Sequence, residues 1–405
     1  MPVEHAFPRP DGGPLQLPKM GRSAYWKAGS DSLASAALGD ANRGSFLALQ
    51  PAVSTRRRLV ATDPPERRAS SCFGGVSRRV PRLVGTVAAG LVQRVLLASP
   101  RGYCAGVERA VETVERALSL YGPPVYVRKQ IVHNAHVVRE LEERGAVFVD
   151  DENNAPPGSI LVLSAHGVAP SVYARAASRR LTTIDATCPL VTKVHSQARR
   201  YAAEGYHMFL IGHGGHEEVV GTMGEAPDAI TLVQSVAEAE TVELPGAGPV
   251  AYLTQTTLSV DETAEILDVL RRRFPEIRAP QREDICYATS NRQWAVKELL
   301  GEVELLLVIG SRNSSNSNRL VEVARGAGVA SHLIEDETEI DERWLEGVES
   351  VGVTSGASAP ERLVERVCEW FRAYGVSEIT PFASVYEDVV FRLPVELRRA
   401  ETSAA

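Results

Sequence analysis

Several common site signatures are missing from this sequence. Its five cysteines, Cys72, Cys104, Cys188, Cys286 and Cys368, are far apart and form no CxxC pair. An odd number of distant cysteines, with no secretory signal, argues against a disulfide framework. No GxxxxGK[ST] motif occurs, so a bound phosphate would be held without a P-loop lysine and its Mg²⁺. No apolar run approaches the roughly 18 residues that span a bilayer, so the chain reads as soluble, with no membrane partner. Excess positive charge is confined to the start of the chain. Residues 1–90 hold 13 Lys/Arg against 6 Asp/Glu, a net of +7 in a chain of net −7, which leaves −14 for residues 91–405. So acidic a body argues against nucleic acid as its partner. An anionic ligand would need a local site, not the global field.

Length and 44% hydrophobic content suffice for two or three domains. Residues 1–90 are rich in Gly, Pro, Ser, Ala and Arg and lack periodicity. The composition fits a disordered tail, a start codon assigned too far upstream is an equal alternative, and an organellar transit segment sits poorly with Glu4, Asp11, Asp31 and Asp40. The cytoplasm is the expected compartment, or an organellar stroma if the segment is a transit peptide. Cys72 receives no role, and Cys368, beside an apolar helix face, reads as core packing.

From Arg94 onward short apolar runs alternate with amphipathic stretches. Val95 to Ala98, Ile160 to Leu163, Met208 to Ile211 and Leu305 to Ile309 read as buried strands. Val107, Ala110, Val111, Val114, Ala117 and Leu118 recur at helical spacing, as do Val191, Val194, Ala198 and Tyr201. This alternation predicts α/β sandwiches with mainly parallel sheets. A weak repeat is superimposed on it. Cys104, Cys188 and Cys286, 84 and 98 residues apart, each follow a strand or loop and precede an amphipathic helix. Three similar domains around a common axis would bring one cysteine each to that axis. The boundaries expected are 91–188, 189–285 and 286–380, with 381–405 returning towards the first domain.

Three such cysteines admit an iron–sulfur cluster, a zinc ion or plain packing. Small polar loops, expected at strand ends, contain Ser164-Ala165-His166-Gly167, His213 to His216 and Ser311 to Asn316. Ligands of open α/β sheets bind at the carboxyl ends of strands. Ser314, Ser315 and Asn316 read as an anion site at a helix N-terminus or as an N-cap, and Ser358 follows the same logic. His133, His166 and His216 are incidental or anion-facing, and a neighbouring phosphate would favour their charged form. Glu217 and Glu218 are a proton donor with its neighbour or a solvated helix start. Thr256 is a relay hydroxyl or part of a cap.

The segments RGYCAGVERA (101–110), IVHN (131–134), SAHG (164–167), ATCP (186–189), GHEEVVGTMGE (215–225), YLTQTTLSVDET (252–263), ICYATSNRQ (285–293), NSSNSNRL (313–320) and TSGASAP (354–360) together resemble the LytB/IspH family. Members are 4-hydroxy-3-methylbut-2-enyl diphosphate reductases of the non-mevalonate isoprenoid route. The resemblance runs from Arg94 to about Arg399 and leaves the first 90 residues without a counterpart. It implies three α/β domains in a pseudo-threefold trefoil around one [4Fe–4S] cluster, held by Cys104, Cys188 and Cys286. It puts His133, His166, Ser314, Asn316 and Ser358 on the diphosphate, with Ser315 beside them and His216 also in the substrate pocket. It makes Glu218 the proton donor, working with the Thr256 hydroxyl. The implied reaction is a two-electron reductive dehydroxylation yielding isopentenyl and dimethylallyl diphosphate. Its electron donor would be of ferredoxin or flavodoxin type, for which Arg271, Arg272 and Arg273 with Arg199 and Arg200 form the candidate docking patch. One departure is visible: Glu217 stands where the family commonly has proline.

Overall fold

The computed structural model describes residues 92–404. The expectations for residues 1–90, Cys72 included, lie outside the described residues. Twelve strands occur in the described part: β1 (Arg94–Ser99), β2 (Val125–Arg128), β3 (Ala146–Val149), β4 (Ile160–Leu163), β5 (Thr182–Asp185), β6 (His207–Ile211), β7 (Ile230–Val233), β8 (Val250–Thr254), β9 (Leu305–Ile309), β10 (Ala330–Ile334), β11 (Ser350–Ser355) and β12 (Glu378–Ala383). They form three sheets, ordered β3-β2-β4-β5, β7-β6-β8 and β10-β9-β11-β1-β12. Every pairing is parallel.

Parallel neighbours need a crossover, here helical, and crossovers cover both faces of a sheet. The continuous apolar runs of the sequence meet that demand, because successive side chains point to opposite faces. In the second sheet Phe209 and Ile211 pack with Ile266 and Leu270, whereas Met208 and Leu210 pack with Val194 and Ala198. In the third, Leu305 and Leu307 face Val364 and Phe371, whereas Leu306 and Val308 face Leu299 and Leu320. Cys368 is buried in the former cluster, as its helix face predicts. The first sheet is likewise covered on both sides.

The sequence reading opens the first domain at residue 91, and the structure differs. β1 belongs to the third sheet, pairing with β11 (Leu97 opposite Val353) and with β12 (Leu97 opposite Pro381). There β1 lies between β11 and β12 with both faces covered: Val95 joins one core layer of the third sheet and Leu96 the other. The first sheet therefore begins with β2, and the third runs past residue 380 to Ala383. The last helix, Val395–Ala404, packs against the first sheet's layer through the fully buried Leu397.

This exchange defines the positions of the cysteines. β1 of the third sheet leads through Cys104 into the helix Ala105–Tyr121, which packs on the first sheet. β5 of the first sheet leads through Cys188 into Pro189–Ala203, which packs on the second. The segment that bridges β8 at Arg278 leads through Cys286 into Tyr287–Leu299, which packs on the third. Each cysteine thus stands where the chain leaves one sheet for the next.

Candidate active site

Each of the three cysteines is the N-cap residue of its helix, and none makes a side-chain capping bond. Cysteine is not a favoured cap, and a thiol at a positive helix end is available to a ligand. The backbone N–H groups repeat one pattern. Cys104 donates to Ala357 O (3.2 Å), Cys188 to Ala165 O (3.0 Å) and Cys286 to Thr256 O (3.0 Å). Those carbonyls lie two residues past the ends of β11, β4 and β8, corresponding strands of the three sheets.

All three thiols line one cavity with about 680 Å³ of empty space. Gly106 allows Cys188 to come close, since a Cβ there would stand 2.6 Å from its Sγ. The Sγ of Cys286 lies 3.2 Å from Thr289 Oγ1. Burial first, and then the neighbouring Cys104, pushes the thiol of Cys188 up to about 12 and that of Cys286 up to about 11. Thiolates here are costly unless a positively charged group joins them. Among the described residues no three His, Cys, Asp or Glu side chains are placed to hold a metal ion. Three thiols that share one cavity are a donor set suited to a thiolate-held metal group.

The same cavity is lined by His133, His166, His216, Glu218, Thr256, Ser314, Ser315, Asn316 and Ser358. All twelve residues singled out in the sequence therefore meet in one place. No lysine or arginine lines it among the described residues, so anion recognition there rests on hydroxyl, amide and imidazole groups. The rings of His133 and His166 stack at 4.1 Å, and His216 lies 5.3 Å from the first and 5.7 Å from the second. Burial pulls His133 and His216 down to about 4; burial and its two neighbours pull His166 well below its ordinary range. The free site thus holds neutral imidazoles at pH 7. An entering anion would reverse that preference. Among the cavity-lining side chains, the buried polar atoms without hydrogen-bond partners are His133 Nε2, His166 Nδ1 and both amide atoms of Asn316. Such atoms are costly unless a polar ligand satisfies them.

Ser314 caps the helix Ser315–Gly326, its Oγ accepting from Ser317 N at 3.3 Å. Ser315 Oγ donates to Thr257 O (3.2 Å) and Ser358 Oγ to His133 O (2.9 Å). The Ser315 and Ser358 hydroxyls tie loops from different sheets together as well as lining the cavity.

Glu218 is 2% exposed. Its Oε1 accepts from Thr256 N at 2.6 Å and its Oε2 from Thr256 Oγ1 at 3.0 Å. Burial raises its pKa to about 7, against the opposing pull of those two bonds. Thr256 links the acid to the cysteine site, because its carbonyl also receives the Cys286 N–H. Glu217, one residue earlier, turns away. It pairs with Arg128 Nη1 (3.5 Å) and Lys129 Nζ (4.0 Å) and does not line the cavity.

The sequence grouped the loop after β4 with those after β6 and β9. The sheet orders correct this: β2, β6 and β9 correspond, and so do β4, β8 and β11. The proper companion of the His216 and Ser314 loops is the one carrying His133. The arginines read as a docking patch are engaged within the chain. Arg271 pairs with Asp268 (3.7 Å), Arg272 with Glu240 (3.1 Å), Arg199 with Glu225 (2.7 Å) and Arg200 with Glu204 (3.7 Å), and Arg273 donates to Ala239 O (2.5 Å). Cavity residues not singled out in the sequence include Val132, Leu190, Thr257 and Thr289. Thr257 adjoins Thr256, and Thr289 sits one turn past Cys286, so adjacency and helical spacing were the available signals.

Fold and site together define a parallel α/β protein whose three sheets send one cysteine each to an anion-receptive cavity with a buried acid. The chain belongs to the LytB protein family, whose model matches residues 95–372. It is 63% identical over 308 residues to a 4-hydroxy-3-methylbut-2-enyl diphosphate reductase of Acidothermus cellulolyticus, covering 76% of this chain and 91% of that one. A Mycolicibacterium paratuberculosis protein of the same name is 60% identical over 309 residues, covering 76% and 93%. Among solved structures, the E-1-hydroxy-2-methyl-but-2-enyl-4-diphosphate reductase of Plasmodium falciparum matches with a TM-score of 0.76 at 37% identity, covering 77% of this chain and 99% of that one.

Proposed function

We propose that this protein is an iron–sulfur reductase that converts 4-hydroxy-3-methylbut-2-enyl diphosphate to isopentenyl and dimethylallyl diphosphate. The observation that carries it is the one cavity holding three N-cap cysteines, a partnerless set of buried anion-binding atoms and a carboxyl group poised near pH 7. The allylic C–O bond breaks, the hydroxyl leaves as water, and two electrons and two protons enter from outside the substrate. Cys104, Cys188 and Cys286 would hold one [4Fe–4S] cluster, which when bound supplies electrons and a Lewis-acidic iron. The electrons come from a ferredoxin- or flavodoxin-type donor.

The chain's own groups do the rest. His133, His166, His216, Ser314, Ser315, Asn316 and Ser358 take the diphosphate and fix the allylic end relative to the cysteines. Glu218 holds a proton near working pH and delivers it. With Thr256 N–H on Oε1, the acid proton resides on Oε2. The Thr256 hydroxyl accepts from it there and turns to donate once the proton has gone. The test is anaerobic purification with iron and sulfide analysis, followed by turnover with a small chemical reductant. Four irons per chain and both products are expected. Stoichiometric zinc, or an iron-loaded protein inert towards this substrate, overturns the reading.

A further inference from the structure

The three cysteine helices share a feature that the cavity itself does not use. Arg109 follows Cys104 by five residues, Lys193 follows Cys188 by five and Arg292 follows Cys286 by six. Each cation reaches out of its own helix to the loop before the next cysteine. Arg109 Nη1 donates to Thr187 O (3.0 Å) and Nη2 to Asp185 O (3.3 Å), just ahead of Cys188. Lys193 Nζ donates to Arg282 O (2.7 Å) and Glu283 O (2.5 Å) and pairs with Asp284 Oδ1 (2.9 Å), just ahead of Cys286. Arg292 Nη2 donates to Gly102 O (2.8 Å) and lies 3.5 Å from Tyr103 O, just ahead of Cys104. First holds second, second holds third and third holds first, so the contacts close into a ring.

We infer that Arg109, Lys193 and Arg292 are positioning residues that fix the three cysteine junctions relative to one another and so retain the cluster; this rests on the iron–sulfur reading of the cavity. The need is physical. Each cysteine sits where the chain passes between sheets, and among the described residues no strand ladder joins one sheet to another. Its backbone N–H fixes it to only one strand-end carbonyl. A charged donor on two backbone carbonyls is a strong, directional tie, and partners behind metal ligands orient them. Closure makes each tie support all three junctions. The direction of the ring also makes a distinct statement: each cation governs the following cysteine, not the one on its own helix.

The experiment uses the full chain with Lys193→Met, Arg109→Met and Arg292→Met, each reconstituted anaerobically with ferrous iron and sulfide. Arg366→Met, which loses a surface pair with Glu337, is the control. Bleaching of the visible absorption by an iron chelator is expected to accelerate about tenfold or more in each ring variant, the usual range for second partners of metal ligands. Lys193→Arg should restore most of the lifetime, and Arg366→Met should match the parent. In the metal-free protein, Lys193→Met should speed alkylation of Cys286 more than of Cys104. Arg292 has no exposed surface, whereas Lys193 is 28% exposed, so Lys193→Met carries the test if Arg292→Met fails to fold. A parent protein that takes up no cluster sinks the iron–sulfur reading itself. A loaded parent whose ring variants bleach at its own rate sinks the ring alone. So does a metal-free Lys193→Met that has lost its cooperative thermal transition, since Lys193 would then be a general folding residue.

Discussion

The two sets of loops around the cavity differ in how far they repeat. At the cysteine junctions the three sheets contribute alike: an N-cap thiol, an N–H on a carbonyl two residues past a strand, and a cation five or six residues on. The loops after β2, β6 and β9 have diverged, offering His133, then His216 with Glu218, then Ser314, Ser315 and Asn316. Like thiols at like places would suit a cluster held by three cysteines. An allylic diphosphate has one charged end and one reactive end and no symmetry, so its pocket cannot repeat. On the proposed function, the repeating thiols would hold the cofactor, and the diverging loops, together with His166 and Ser358, would read the substrate.

The largest effects should test the symmetric half. Cys104→Ser, Cys188→Ser and Cys286→Ser should each lose most of the iron and nearly all turnover, to the same degree, because serine is a harder and poorer ligand. Cys368→Ala should keep both. Iron analysis decides it: full iron in any one of the three serine variants would break the equivalence.

The next effect sharpens the asymmetric half within two adjacent residues. Glu218→Gln should lower turnover about 10²-fold or more, within the general-acid range, with iron content and substrate affinity largely unchanged. Glu217→Gln, whose side chain serves Arg128 and Lys129, should be mild. A raised folded pKa disfavours the folded state as the group ionises. Glu218 therefore costs stability as pH rises from its unfolded value near 4.5 through about 7. The metal-free Glu218→Gln protein should gain on the parent over that interval, as read from thermal midpoints. A crippled Glu217→Gln beside a normal Glu218→Gln would reverse the assignment.

The smallest effect concerns charge uptake. His133 and His216 lie at about 4 in the free site, and a diphosphate beside them favours the protonated ring. Binding should therefore take up protons, and affinity should improve as pH falls from the complex's higher histidine pKa towards 4. Titration calorimetry of a reconstituted protein in buffers of different ionisation enthalpy measures the uptake. His133→Gln and His216→Gln should each reduce it, by at most one proton. Binding with no proton uptake in the parent would mean that the histidines serve only as neutral donors.

Much of this protein was legible in its sequence. Apolar runs such as Leu305 to Ile309 and helical spacings such as Ala110, Val114 and Ala117 record burial directly, because local periodicity and burial share one cause. Cys104, Cys188 and Cys286 stood out through their common place before a helix. The family motifs marked the remaining cavity residues, because a site built from short loops leaves its chemistry in contiguous segments. The sheet that takes β1 was not legible, since an apolar strand carries no address for its partner. The resemblance singled out Glu218, but the residues by themselves did not orient Glu217 and Glu218, since one sits against cations and the other against Thr256 only after three sheets have met. Nor could the sequence show that Arg109, Lys193 and Arg292 each reach the next cysteine loop. Those ties join residues 76 to 190 positions apart, and backbone carbonyls, which every residue has, leave no trace in the order of side chains.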